Sequence, residues 1–398
     1  MISSRPNTED PKRFLLYSHD SFGLGHLRRS LTLAEALTEK FKTASVLIAS
    51  GSPCATHFGL PERCDIVKLP SVSKGPLGAY ASPKFDLPVT ELIDLRRELL
   101  LTTFHSWRPD VFVVDHRVTG LMDEVLPVLH AAGKRGTKRV LGMRDIVDEP
   151  EAVAREWDNE AAVWALDEGY DEILVYGDQG VFDPRMEYPL SSRAADKITF
   201  TGYLTRQRGD LRRRALPRPR AEVLVTLGGG GDGASRAESI LDGIDCAPTP
   251  WETSIVLGPL MDPETARRIE RRARAMRNVH ITRFEPDLVA RMSDADLVVG
   301  MAGYNTTAEL LASGRPALLL PRCAPRREQE IRASRLAARG AARFLTAPSP
   351  LELRAAIAAA LETPTSPKNA PDLEGAAFAA ARIGRLAGLH TAPLALTN

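Results

Sequence analysis

VVGMAGYNTTAELLASGRPALLLP, residues 298–321, decides the fold. An apolar run stops at Gly300 and Gly303, where missing side chains let a ligand come close to the backbone. A short helix follows. Thr306 to Glu309 fit capping-box spacing, Gly314 suits a helix stop, and Pro316 precedes the next apolar run, Ala317 to Leu320. The unit reads as strand, glycine loop, helix, strand. A helix opening directly after such a loop aims unpaired N–H groups and a partial positive charge outward, which suits a phosphate. An ordinary βαβ unit with a capped helix reads the same way, so the other glycine turns must decide.

Upstream, Glu222 to Leu227 is a strand that runs into GGGGDGA and a helix starting near Ala234. Gly228 to Gly231 expose enough backbone N–H groups for a diphosphate, yet no Gly-Lys-Ser/Thr follows, which excludes an NTP-hydrolysing P-loop. Further strands are expected at Ser254 to Leu257, Val279 to Thr282 and Asp296 to Val299, with Asp262 and Pro263 starting the helix between the first two. Asp294 and Asp296 form a DxD string of the kind that binds metal in some sugar transferases. Here it precedes a buried strand, so Asp294 reads as a cap, Asp296 as a strand-start residue, and no metal site is expected.

The first half shows the same alternation. Arg13 to Tyr17 leads into SHDSFGLGHLRRS, and Leu27, Leu31, Ala34, Leu37 and Phe41 give the next segment a helical period. Gly23 and Gly25 make a GxG, but position 28 is arginine instead of the third glycine of the dinucleotide fingerprint, which rejects an NAD site. The turn carries His26, the side chain best suited to moving a proton near neutral pH. Strands are expected at Val46 to Ala49, Val111 to Asp115, Arg139 to Met143, Ile173 to Tyr176 and Ile198 to Thr201. Such alternation makes a parallel, doubly wound sheet, whose ligands sit beyond the carboxyl ends of the strands. His19, Asp20, Asp115, His116, Arg144 and Asp145 leave those ends, and Arg144 and Asp145 could equally pair with each other.

Two tandem α/β domains facing a cleft are therefore expected: residues 1–204, a basic linker 205–221, and residues 222–398, with the last helix packing back toward the first domain. The linker's arginines, Arg212 to Arg220, read as solvated, with peripheral membrane contact open. The segment from Ser71 to Pro88 has no period and reads as a long functional or mobile loop. Net charge is +1, from 52 basic and 51 acidic residues, which argues against a nucleic-acid partner held by bulk electrostatics. The apolar fraction of 43% with 26% charged residues is that of a globular chain. The four cysteines form no zinc or CxxC pattern, and the start has no signal-peptide core, so a cytoplasmic protein with reduced thiols is expected.

On FGLGHLRRSLTLAEAL, ITFTGYLTR, LVTLGGGGDGA, the stretch from VHITRFEPDLVARMSDADLVVG through ALLLP, and RREQEIRASRLAARG, the chain resembles the GT-B glycosyltransferases, most closely the MurG-like group. Its best-known member adds N-acetylglucosamine to a lipid-linked peptidoglycan precursor. The resemblance implies that Glu309 holds ribose hydroxyls and that Phe284 and Glu285 flank the base through the main chain. It implies that Gly229, Gly230, Thr306 and Thr307 face the diphosphate, and that Glu328 and Gln329 reach the sugar; Gly228, Gly303 and Asn305 belong to the glycine loops and helix start read from the residues as substrate-binding. His26 corresponds to the general base of that group. A capping role for Glu309 stays open beside the ribose role. The turn at His26 is also similar to that of UDP-sugar hydrolases of nonulosonic acid biosynthesis, which pass the sugar to water.

The resulting expectation is an inverting, metal-independent glycosyltransferase. It would move a sugar from a nucleotide diphosphate sugar, UDP-linked, to an unidentified acceptor hydroxyl. The alternative is a UDP-sugar hydrolase. His26 acts as the base, Asp115, Arg144 and Asp145 orient the acceptor or His26, and Gly23 and Gly25 line the substrate; no cofactor is needed. A nucleotide-sugar-binding regulator without catalysis is a third reading, against which His26 counts, because a binder has no use for a base.

Overall fold

The computed structural model describes residues 11–19, 25–53, 55, 59–74, 80–205, 218–364 and 371–390. The first half is a seven-stranded sheet built from β1 (Lys12–Ser18), β2 (Ala44–Ser50), β3 (Cys64–Lys68), β6 (Val111–Asp115), β7 (Lys138–Arg144), β8 (Glu172–Tyr176) and β9 (Ile198–Phe200). A two-stranded antiparallel pair, β4 (Ser73–Lys74) and β5 (Tyr80–Ala81), falls in the Ser71 to Pro88 segment. The second half is a six-stranded sheet of β10 (Ala221–Thr226), β11 (Trp251–Val256), β12 (Val279–Thr282), β13 (Leu297–Gly300), β14 (Ala317–Leu319) and β15 (Arg343–Phe344).

Both large sheets are parallel throughout, in the orders β3-β2-β1-β6-β7-β8-β9 and β12-β11-β10-β13-β14-β15. The chain reverses direction across the sheet between β1 and β6 in one half and between β10 and β13 in the other. A crevice opens at such switch points, beyond the carboxyl ends of the strands. Both faces of β1 are covered: Phe14 and Leu16 pack into one apolar layer, Leu15 and Tyr17 into the other. That explains why the strand reads as a continuous apolar run rather than an alternation. β3 and β15 escape sequence reading because they are edge strands, two to five residues long, half-exposed and interrupted by charges.

The halves are joined through a shared apolar layer that runs from Phe14 and Leu27 to Leu224 and Val298. Helix Gly375–Leu386 contributes Ala379, Ala380 and Ile383 to it and lies on helix Gly25–Lys40. At their crossing a Cβ on Gly384 would stand 2.3 Å from the Phe41 ring, so only glycine fits. The chain before this helix returns to the end of the first half, where Tyr203 N–H donates to the Asp372 carbonyl. Among the described residues, no helix is long and apolar enough to cross a membrane.

Candidate active site

Helix Gly25–Lys40 starts with His26 in its first turn, and Arg29 lies three residues on, along the same face. Asp115, the last residue of β6, meets both. His26 Nδ1 lies 2.6 Å from Asp115 Oδ2, and Arg29 grips the same carboxylate through Nε (3.0 Å) and Nη2 (2.7 Å). Burial alone would raise the Asp115 carboxyl, but the Arg29 charge and the His26 hydrogen bond hold it down at about 2. Arg29 Nη2 also lies 3.0 Å from His26 Nδ1, but the ionised carboxylate only accepts and its 2.6 Å contact is the shorter, which puts the proton on Nδ1 and the lone pair on Nε2. Burial pushes His26 down to about 4, more than the hydrogen bond to Asp115 restores, so the ring is neutral at physiological pH. The arrangement is a neutral histidine held in one tautomer by an aspartate, able to accept a proton at Nε2.

Two further histidines flank it. The His19 and His116 rings lie 5.3 and 5.5 Å from that of His26, both buried and both driven well below the usual histidine range by burial. His116 follows Asp115 with φ at 68°, a left-handed conformation that costs a side-chain-bearing residue about 1–2 kcal/mol. Next to it, Arg117 lines a cavity of about 250 Å³ together with Tyr80, Gly120, Met122, Glu156 and Trp157.

Asp145 does not take the acceptor-orienting role expected of it. It is fully buried, and its carboxylate is occupied by Arg332 from the second half, at 2.6 and 2.8 Å, and by the Tyr203 hydroxyl at 2.7 Å. Nor does it pair with Arg144, whose Nη2 instead reaches His116 Nε2 at 2.9 Å. Arg332 and Arg29 flank the Tyr304 ring at 5.9 and 5.3 Å, and the Tyr304 hydroxyl accepts from Leu204 N–H. This joins the base to the junction of the halves.

In the second half, helix Tyr304–Ser313 begins two residues before Thr306, with Gly303 as N-cap and no side-chain cap. The capping box expected at Thr306 and Glu309 is therefore absent: both lie inside the helix, beyond the first N–H groups. Those groups have no intrahelical acceptor. The helix start faces the glycine loop, with Thr306 Oγ1 3.3 Å from the position of a Cβ on Gly228. Gly228 and Gly230 take φ values of 61° and 89°, and Gly258 packs so closely beneath them that its Cβ would lie 2.4 Å from the Gly228 carbonyl oxygen. Gly229 sits between them, against Leu260. Thr307, expected beside Thr306 on the diphosphate, is fully buried, and its Oγ1 has no hydrogen-bond partner among the described residues. Asn305 donates to the Gly25 carbonyl at 3.1 Å, tying this helix to the base-bearing turn. Gly23 lies outside the described residues.

Glu309 accepts from Arg28 of the first half through Oε1, while its Oε2 is buried with no hydrogen-bond partner among the described residues. Glu328 shows the same pattern: Oε1 accepts from Arg322 at 2.7 Å, and Oε2 is buried without a partner among the described residues. Gln329 Oε1 accepts from the Arg322 N–H, and its Nε2 faces Gly303. Phe284 is half-exposed, and Glu285 accepts from the Asp287 N–H. Among the described residues, no group of three or more His, Cys, Asp or Glu side chains could hold a metal ion, and Asp296 accepts from the Glu222 N–H instead. Sequence reasoning missed Arg28 and Arg29 as site residues. For Arg29 the signal was present, three residues from His26 on one helix face; for Arg28 the partner lies 281 residues away.

Residues 252–383 match the glycosyltransferase family 28 C-terminal domain. A stretch of 109 residues is 32% identical to the UDP-N-acetylglucosamine--N-acetylmuramyl-(pentapeptide) pyrophosphoryl-undecaprenol N-acetylglucosamine transferase of Rhodopseudomonas palustris, covering 27% of this chain and 29% of that one. The chain spans about a third of the length of the curated relatives it matches. In three dimensions it resembles the glycotransferase of kitacinnamycin (TM-score 0.64, 19% identity, 94% of this chain and 99% of that one). It also resembles MurG of Acinetobacter baumannii (TM-score 0.63, 15% identity, 94% and 100%). The fold is thus GT-B: two parallel-sheet α/β halves, the second containing the stretch that matches the family 28 C-terminal domain model.

Proposed function

We propose that this protein is an inverting glycosyltransferase that carries a sugar from a nucleotide diphosphate sugar, a UDP-sugar, to an acceptor hydroxyl without a metal ion. The His26–Asp115 pair carries the reading, because it places a neutral base with a free Nε2 at the switch point of one sheet, joined through Gly25 and Asn305 to the helix start at the other. His26 Nε2 takes the proton of the acceptor hydroxyl as its oxygen attacks the anomeric carbon. The diphosphate leaves from the opposite face, and its charge is met by the N–H groups of the Gly228 loop and of the Tyr304–Ser313 helix start. Asp115 then faces an imidazolium and stabilises it. A single displacement of this kind inverts the anomeric centre.

The unpartnered carboxylate oxygens of Glu309 and Glu328 suit hydroxyl groups, which supports ribose at the first and sugar at the second. The cavity lined by Arg117, Tyr80 and Glu156, which begins one residue along the chain from His116, supports an acceptor seat on this side. The names of the relatives support a UDP-linked donor. No observation favours the hydrolytic alternative. We assign the reaction to the cytoplasm. The test is His26→Ala: UDP binding, followed by calorimetry, stays at the wild-type level while sugar transfer falls about 10²- to 10⁴-fold; full transfer in this variant removes His26 as the base.

A further inference from the structure

Arg144 ends β7 beside the base, and among the described residues it makes no ion pair. The buried arginines around it differ. Arg29 grips Asp115 and Arg332 grips Asp145, each through two hydrogen bonds. Arg144 is instead within 2.9 Å of His116 Nε2, and its own Nε is buried without a partner among the described residues. A guanidinium only donates, so His116 Nε2 accepts and the proton of this neutral ring sits on Nδ1. That Nδ1–H is also buried without a partner among the described residues, on a residue only 5% exposed. A full cation and two unused donors therefore meet at one place, and burial together with Arg29 pushes Arg144 down to about 10.

Keeping such a group is unfavourable unless something binds it, because the guanidinium is partly buried with a fully buried, unsatisfied Nε and only the more distant Glu328 carboxylate offsets its charge. His116 adds the left-handed backbone noted above. The donor's diphosphate has its own seat across the cleft, at Gly228 and Thr306. We propose that Arg144 and the Nδ1–H of His116 form the seat of an anionic group on the acceptor, a carboxylate or a phosphate. With the His116 and His26 rings 5.5 Å apart, an anion held there brings a neighbouring hydroxyl of the same molecule to His26. The word acceptor rests on the glycosyl-transfer reading; the anion seat does not.

The test is calorimetric titration of inorganic phosphate, D-glucuronate and, as a neutral control, glucose into the full-length protein, with and without saturating UDP. Phosphate or glucuronate binds, glucose does not, and UDP leaves the binding in place. Arg144→Met weakens it by roughly tenfold or more, His116→Asn, which tolerates the left-handed backbone, by a few-fold, and neither changes UDP affinity. Stronger binding of phosphate identifies a phosphorylated acceptor, and stronger binding of glucuronate a carboxylated one. Should Arg144→Met fail to fold, Arg144→Lys, which keeps the charge and loses the fork, must still weaken the binding. Absence of anion binding in the wild type, equal binding in the Arg144 variants, or displacement of the anion by UDP overturns the proposal. Loss of UDP binding with Arg144-dependent anion binding intact overturns the donor reading and leaves the anion seat standing.

Discussion

Asp115 and Asp145 look alike in the sequence: each is an acid at the carboxyl end of a first-half strand, and each holds a buried arginine with two hydrogen bonds. Their surroundings make them opposites. Asp145 spends both oxygens on Arg332 and Tyr203 and is sealed from solvent, so it clasps the halves together. Asp115 shares its carboxylate between Arg29 and His26, and the histidine keeps one nitrogen free. The same residue at the same kind of strand end becomes a clasp where every partner is internal, and part of the proposed catalytic pair where its histidine partner keeps one nitrogen unused.

Breaking the clasp gives the largest expected effect. Arg332→Met leaves Asp145 charged and buried, which costs about 3–5 kcal/mol of stability in denaturant unfolding. Adding Asp145→Leu should recover much of that loss, since an apolar pair of similar volume is tolerated. A single variant as stable as the wild type would show that the pair holds nothing together. The same comparison is sharpened from the other side by Asp115→Asn, which frees the His26 tautomer. Turnover should fall about 10²- to 10⁴-fold with UDP affinity unchanged; a loss of UDP affinity alone would place Asp115 outside the base.

Acid should act on the catalytic side next. His26 titrates near 4 when folded and near 6.5 when unfolded, so below 6.5 the unfolded chain binds the extra proton. Its stabilisation, about 3 kcal/mol, is complete above pH 6.5 and is lost as pH falls toward 4, with His19 and His116 acting in the same direction. Unfolding of wild type and His26→Leu between pH 4 and 8 checks this; parallel curves would contradict it. The smallest effect is expected at the other contact between halves, Arg28 with Glu309, which is partly exposed. Arg28→Ala frees the carboxylate proposed to take the ribose and should lower the donor KM a few-fold, about the worth of an exposed ion pair. A raised KM would assign Arg28 to the donor itself.

Much of this was legible in the sequence, for physical reasons. Buried parallel strands are apolar on both faces, so β1, β6 and β13 announce themselves, and the glycine turns after β10 and β13 mark both sides of the second switch point. Local spacing misled at Thr306 and Glu309: Gly303, extended with ψ at 147°, starts the helix earlier than the capping pattern suggests. Partners distant along the chain could not be read at all. Asp145 meets Arg332 across 187 residues, and nothing near Asp145 distinguishes it from Asp115.

The most direct test of the central claim is NMR of the products formed from a panel of nucleotide sugars by the purified protein, with and without a cell extract as acceptor source, for wild type and His26→Ala. The account predicts UDP release that requires the extract, a glycosylated product whose anomeric configuration is inverted relative to the donor, and neither with His26→Ala. Free sugar released without extract, a retained configuration, or wild-type turnover by His26→Ala would contradict it.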